Sequence, residues 1–455
     1  MDICQLLNIK NWFIHGKSET AQKTSTCSGG ALASASTLSS KNIRSDDMLS
    51  YLTTAKLVPL SSGTSTLSSS YLIAMSGDTR IANNNTDPNG QTKEYIKQQY
   101  NELLLAYKLD NNGRSYIKDP RDQITSEGMT YWLYLTARMA QLDPVNASQY
   151  KQVFDSLLAG VESMIDLARS ENNSGAFPAW KVQLSNGTLA LVSDQNGKTA
   201  NSAADADLDL IRSLIAARNL VASGVWSDNN YGAKARALIE SASYGEKSLL
   251  QDEKGVLVLR PSEDWDGYHF TDYMAPATYK EIAEFAGNTG MESKYQDLWN
   301  KAAGDAMKLY AAVIRDTGEF PGKVEFDIQD ASSITARSVE GARQSYDGIR
   351  SPWRIGEYIR GYSTTQEEFD CAVTALTKGI NGHYTESKEM DTAMYLPLAY
   401  AVGDNGSMDK MTADISGNVI PKDNYFSRTL ILMGLMSSVF PVREMAGRTI
   451  SPEKA

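Results

Sequence analysis

The chain has 455 residues, 42% of them apolar and 22% charged, which is enough to bury a large core and leaves no run long and apolar enough for a bilayer. Its formal net charge is -11 with no dense Lys/Arg cluster, so the footprint of a nucleic-acid binder is missing and neither nucleic acid nor membrane is an expected partner. Three dispersed cysteines and three histidines, with neither CxxC nor HExxH, predict no disulfide framework, no catalytic metal and no cofactor.

Met1 to Phe13 lacks a basic start, apolar core and small-residue cleavage site, so an export signal is not visible. Residues 1–80 are rich in Ser, Thr, Gly and Ala and read as an irregular, partly disordered N-terminal extension, followed by one domain over 81–455. From about residue 90, apolar residues recur every three or four positions. This predicts eleven helices, over 92–109, 126–141, 147–168, 202–221, 230–250, 278–287, 292–316, 351–362, 365–380, 391–403 and 424–440. Connections such as Asp110-Asn111-Asn112-Gly113 and Gly403-Asp404-Asn405-Gly406 end helices, and short strands are expected near 177–193 and 255–260. With no motif repeat of solenoid length, the pattern is all-α and fits either a closed helical toroid or a large bundle.

No GxSxG, Walker A loop or GxGxxG is present, which leaves carboxylates among aromatics as the candidate chemistry. In Ser126-Glu127-Gly128-Met129, Ser126 reads as an N-cap, Glu127 falls in the first helical turn, and Gly128 leaves room for a ligand. Complementing the helix dipole is the simpler role for that Glu. In Ala204-Asp205-Ala206-Asp207-Leu208-Asp209, helical spacing puts Asp205 and Asp209 on one face and Asp207 on another. Capping accounts for at least one of these acids. In Tyr346-Asp347-Gly348-Ile349-Arg350-Ser351-Pro352-Trp353-Arg354, Asp347 precedes a Pro-started helix and is either one half of an Asp–Arg structural pair or a reacting carboxylate. Two separated carboxylates beside aromatic rings meet the needs of glycosidic cleavage, in which one is protonated and the other ionised. Of the 7 Trp and 23 Tyr, Trp180, Trp265, Tyr268, Tyr273 and Tyr425 fall in loop-like contexts where rings can stack on sugars.

These blocks, in this order, resemble glycoside hydrolase family 8. Ser126-Glu127-Gly128-Met129 looks like its SEG block, the Asp205 region like its A-[ST]-D-[AG]-D signature, and Tyr346 to Arg354 like its YDAxRxPWR block. Tyr425-Phe426-Ser427-Arg428-Thr429-Leu430 is similar to its closing aromatic block. The resemblance implies an (α/α)6 barrel of six inner and six outer helices. It also implies inversion, with Glu127 as general acid, Asp347 as general base, Asp205 at the sugar being cleaved, and Tyr346 and Arg350 positioning the base and its water. Trp180, Trp265 and Tyr425 are further candidate sugar contacts. The chain departs from the family at Ala204 and Gly348, and Thr271-Asp272-Tyr273-Met274-Ala275-Pro276 matches the family's Asn-Pro-Ser-Tyr region only loosely. The implied activity is an endoglucanase acting as a monomer on β-glucan, with xylan and chitosan as alternative polymers. A non-catalytic glycan-binding protein on the same barrel is the alternative of another class. A polymeric substrate implies a secreted or periplasmic location.

Overall fold

In the computed structural model the described residues are 88–171, 175–194, 197–198, 200–263, 267–339, 347–362, 364–379, 388–417 and 424–439. The N-terminal extension, Trp265 and Tyr346 lie outside them. Twelve α-helices are found among the described residues: α1 Pro88–Tyr107, α2 Ser126–Leu142, α3 Ala147–Ser170, α4 Ala204–Ala222, α5 Tyr231–Ser243, α6 Pro276–Asn288, α7 Ser293–Thr317, α8 Ser351–Gly361, α9 Gln366–Gly379, α10 Lys388–Val402, α11 Asn405–Gly417 and α12 Tyr425–Val439.

The even-numbered helices form a closed inner ring. α2 packs on α4, α4 on α6, α6 on α8, α8 on α10, α10 on α12, and α12 returns to α2. The odd-numbered helices form the outer layer, with α3 against α2, α5 against α4, α7 against α6, α9 between α8 and α10, α11 against α10, and α1 closing against α12. This is an (α/α)6 barrel. Two missing side chains let neighbouring inner helices approach backbone to backbone: a Cβ at Gly356 would strike Pro397 and Leu398, and one at Gly434 would strike the Ala393 carbonyl.

The barrel axis is filled by charge. On α4, Asp205, Asp209 and Arg212 recur at i, i+4 and i+7, so they share a face. The matching face at and after the start of α8 carries Arg350, Arg354 and Glu357, and the two faces meet rung by rung across the ring. Arg350 Nη1 lies 3.2 Å from Asp205, Arg354 grips Asp209 in two bonds of 2.9 and 2.7 Å, and Arg212 lies 2.9 Å from Glu357. Each is almost fully buried, where an unpaired charge would be costly, so the charges face opposite partners. The lowest rung is extended by Glu281 of α6, 3.1 Å from Arg212, by the Tyr134 ring under that guanidinium, and by Ser437 of α12, which donates to Glu357 at 2.7 Å.

The structure differs from the sequence reading in several places. The connection expected after Gly403 contains α11, whose polar sequence carries little apolar periodicity. Gly403 turns the chain at φ +76°, Asp404 then accepts from Ser407 N at 3.0 Å, and a new helix starts. The segment Asp110 to Gly113 does more than end a helix: Asn112 and Gly113 adopt φ of +52° and +79° in the turn between β1 (Lys108–Asn111) and β2 (Arg114–Ile117). That is the Asn-Gly hairpin signal. The helix expected over 230–250 ends at Ser243, and the chain pairs as a hairpin over Leu250–Glu253 and Val256–Leu259. A longer hairpin, Lys323–Asp330 with Ser333–Ser338, was not foreseen. No helix among the described residues is long and apolar enough to cross a membrane.

Candidate active site

The inner helices begin at one end of the barrel, where their unsatisfied N–H groups and dipoles favour negative charge. Helix α2 is capped by Thr125, whose Oγ1 accepts from Gly128 N at 3.1 Å. Ser126, the expected cap, is already in the helix. Glu127 stands in the first turn. Gly128 does not open space for a ligand as its sequence context suggested: a Cβ there would meet the Tyr425 hydroxyl and Thr125 Oγ1. Tyr425 itself packs edge-on against Tyr107 at 4.8 Å, half-buried in this seam.

Arg350, on the turn before α8, is the hub of the site. Its Nη1 contacts Glu127, lies 3.2 Å from Asp205 and donates to the Tyr131 hydroxyl at 2.8 Å. Its Nη2 lies 2.5 Å from Asp272 and 3.2 Å from Asp347. Tyr131 in turn donates to Glu127 Oε1 at 3.2 Å. Four carboxylates from four segments therefore share one guanidinium, and the other nearby cation, Arg354, is committed to Asp209.

The four divide by exposure. Asp205 and Asp272 are 2% and 0% exposed and form the floor, whereas Glu127 and Asp347 are 27% and 41% exposed and face solvent. Burial, then repulsion from Asp209, pushes Asp205 up to about 7, with Arg354 opposing. Asp272 is raised well above the usual carboxylate range by burial, then by Asp347 and Asp205. Asp207, on the other face of α4, accepts from Ser202 at 2.6 Å and is raised chiefly by burial. Like charges this crowded cannot all ionise, so the cluster keeps at least one proton.

Stability follows from these shifts with a definite sign. Asp205 is held above its ordinary 3.8, so the folded state keeps a proton that the unfolded chain releases. Its contribution is full below about pH 4 and is lost as pH rises towards about 7. Chemical denaturation across that window should show Asp205→Asn to be less pH-dependent than the parent; parallel profiles would contradict the assignment.

Gly348 opens the short turn Gly348–Arg350, and a Cβ there would strike the Phe320 carbonyl. The Ala common in the related motif does not fit here. Gly348→Ala should push the turn outward, costing about 1–3 kcal/mol by overpacking. It should also lower kcat by displacing Asp347, measured by thermal unfolding beside turnover.

Trp180 is tied to the same end, its carbonyl accepting from Ser126 N at 2.9 Å and its N–H donating to Asn201 O at 2.9 Å. Its half-buried ring carries Lys181 Nζ at 4.1 Å. Tyr273 stacks on Phe270 at 4.7 Å, and its hydroxyl is raised by burial and by Asp205, Asp272 and Asp347. The structure thus brings Glu127, Asp205, Asp347 and Arg350 together, with Trp180 on the segment beside them and Tyr425 packed behind Gly128. Asp272 and Tyr131 were missed. Tyr131 was findable, being four residues from Glu127 on one helix face, but Asp272 sits in a loop without periodicity. Among the described residues no group of three or more His, Cys, Asp or Glu is placed to hold a metal.

Residues 73–439 match the family described as Glycosyl hydrolases family 8. The chain belongs to that family. As a family 8 member it is a glycosidase, and its substrate is a glycan. It is 26% identical over 376 residues to Endoglucanase 2 of Ruminiclostridium josui, covering 77% of this chain and 72% of that protein. It is 25% identical over 367 residues to Endoglucanase C of Ruminiclostridium cellulolyticum, covering 75% and 70%. Among solved structures, a reducing end xylose-releasing exo-oligoxylanase superposes with a TM-score of 0.59 at 15% identity over 78% of this chain and 92% of that one. That likeness speaks to the family 8 fold.

Proposed function

We propose that this glycosidase is an inverting endoglucanase cutting β-1,4-linked glucan, with Glu127 as general acid and Asp347 as general base. The observation that carries this is the pair of solvent-facing carboxylates held on opposite terminal nitrogens of Arg350, over a buried acidic floor. Their nearest oxygens, each bound to one fork, stand no more than roughly 8 Å apart, a bound that holds both the inverting and the shorter retaining spacing, so inversion rests on the family and on the anomer first formed. Glu127 then gives its proton to the glycosidic oxygen as that bond breaks. Asp347 takes a proton from the water that attacks the anomeric carbon from the opposite face. Asp205 and Arg350 line the floor beneath the reacting sugar, Trp180 on the segment beside them is the proposed stacking ring, and Trp265 and Tyr346 are proposed as sugar contacts on their sequence context. The endoglucanase relatives support β-glucan as the polymer, and a polymer this large supports action outside the cytoplasm.

The test is reducing-end release from carboxymethylcellulose, mixed-linkage β-glucan, xylan and chitosan, with proton NMR of the first anomer formed. Turnover of the glucans with initial release of the α-anomer is expected. Preference for xylan or chitosan would reassign the polymer, and initial β-anomer would overturn inversion.

A further inference from the structure

We propose that Asp272 is a positioning residue that holds a proton and seats Arg350 from below, leaving the charge at the guanidinium's Nη2 for the base Asp347. The assignment rests on placement. Asp272 is completely buried in the short turn ahead of α6, with its Oδ2 2.5 Å from Arg350 Nη2. Apart from that ion pair and a strained contact with its own backbone N–H, no donor reaches either carboxyl oxygen. An ionised carboxylate so far from water would need several donors, and one shared nitrogen does not supply them.

Every charged or titratable group facing it sharpens the point. From α4 comes Asp205, from α2 Tyr131, from its own turn Tyr273, from α7 Tyr310, and from the α8 side Asp347, Arg350 and Arg354. The two cations are already divided: Arg354 is closed on Asp209, and Arg350 serves Glu127, Asp205 and Asp347. An ionised Asp272 would compete with Asp347 for Nη2. A neutral one offers Nη2 a carbonyl acceptor and keeps the fork in plane without drawing off its charge.

This inference builds on the proposed roles of Glu127 and Asp347 but is separable from them. Asp272→Asn presents the same carbonyl acceptor without a charge and should keep kcat within about threefold of the parent at neutral pH. Asp272→Ala, which empties the seat, should lower kcat about 10- to 100-fold with KM little changed, an effect of the size lost when a reacting group is misplaced. Infrared difference spectra across a pH titration of the parent should show carbonyl stretches of buried carboxylic acids, Asp205 and Asp207 among them, and Asp272→Asn should remove one component that Asp205→Asn and Asp207→Asn leave in place. That band does not depend on which residues are acid and base, so it stands even if the Glu127 and Asp347 variants remain active. An Asn variant as impaired as the Ala variant, an Ala variant as active as the parent, or no band removed by Asp272→Asn would each overturn the proposal. If Asp272→Ala fails to fold, the Asn kinetics and the infrared band decide alone.

Discussion

Glu127→Gln is expected to lower kcat on a polymeric glucan by about 10²–10⁴-fold, the usual worth of a positioned proton donor. Asp347→Asn should lose a similar factor. The two roles can be told apart by the leaving group. A glycosidic oxygen in a polymer must be protonated to depart, whereas an activated aryloxide need not be, so the Gln variant should recover much of its rate on aryl β-glycosides. The Asn variant should not, because water still has to be deprotonated whichever group leaves. Glutamine also keeps an acceptor for the Tyr131 hydroxyl, which lies 3.2 Å from Glu127 Oε1, so misfolding is not the expected cause of the loss. Equal recovery of both variants on the activated substrate, or retention of polymer turnover by either, would remove the assigned pair.

Much of the scaffold was legible because helical period is a local signal. The i, i+4 spacing of Asp205 and Asp209 placed both on one face before any partner was known, and the structure sets both against Arg350 and Arg354. What the period could not say is that the partners come from the turn and helix 145 residues further on, since that is a property of ring closure. Gly128 shows the limit in the other direction: a glycine beside an acid suggested space, yet the space belongs to Tyr425, delivered by the last helix of the ring. Helix α11 escaped because it is short and polar and covers α10 from outside. Asp272 escaped because a loop acid acquires meaning only when the barrel brings three other carboxylates and one guanidinium to it.

Arg350→Met should be the most damaging single change to the fold of the site. It removes the one cation that Glu127, Asp205, Asp272 and Asp347 share, and breaking a buried ion pair from one side costs about 3–5 kcal/mol. The cost should depend on pH with a predictable sign. Asp205 is already raised by burial, and without Arg350 it can avoid an unpaired charge only by taking up a proton, as Asp272 has already done. The deficit should therefore be small below about pH 4, where the unfolded carboxyls become protonated too, and should grow as pH rises towards about 7. Arg350→Lys separates charge from geometry: the ammonium restores a positive charge but has no fork to hold Glu127 on one side and Asp347 on the other. It should recover part of the stability while kcat stays down by about 10²-fold or more, the price of misplacing two reacting groups at once. Denaturation of parent, Met and Lys variants at about pH 5 and pH 8, read beside kcat, checks both halves. A Met variant as stable as the parent at both pH values would mean that the four carboxylates do not depend on Arg350. A Lys variant with full activity would mean that the fork does not set the spacing of acid and base.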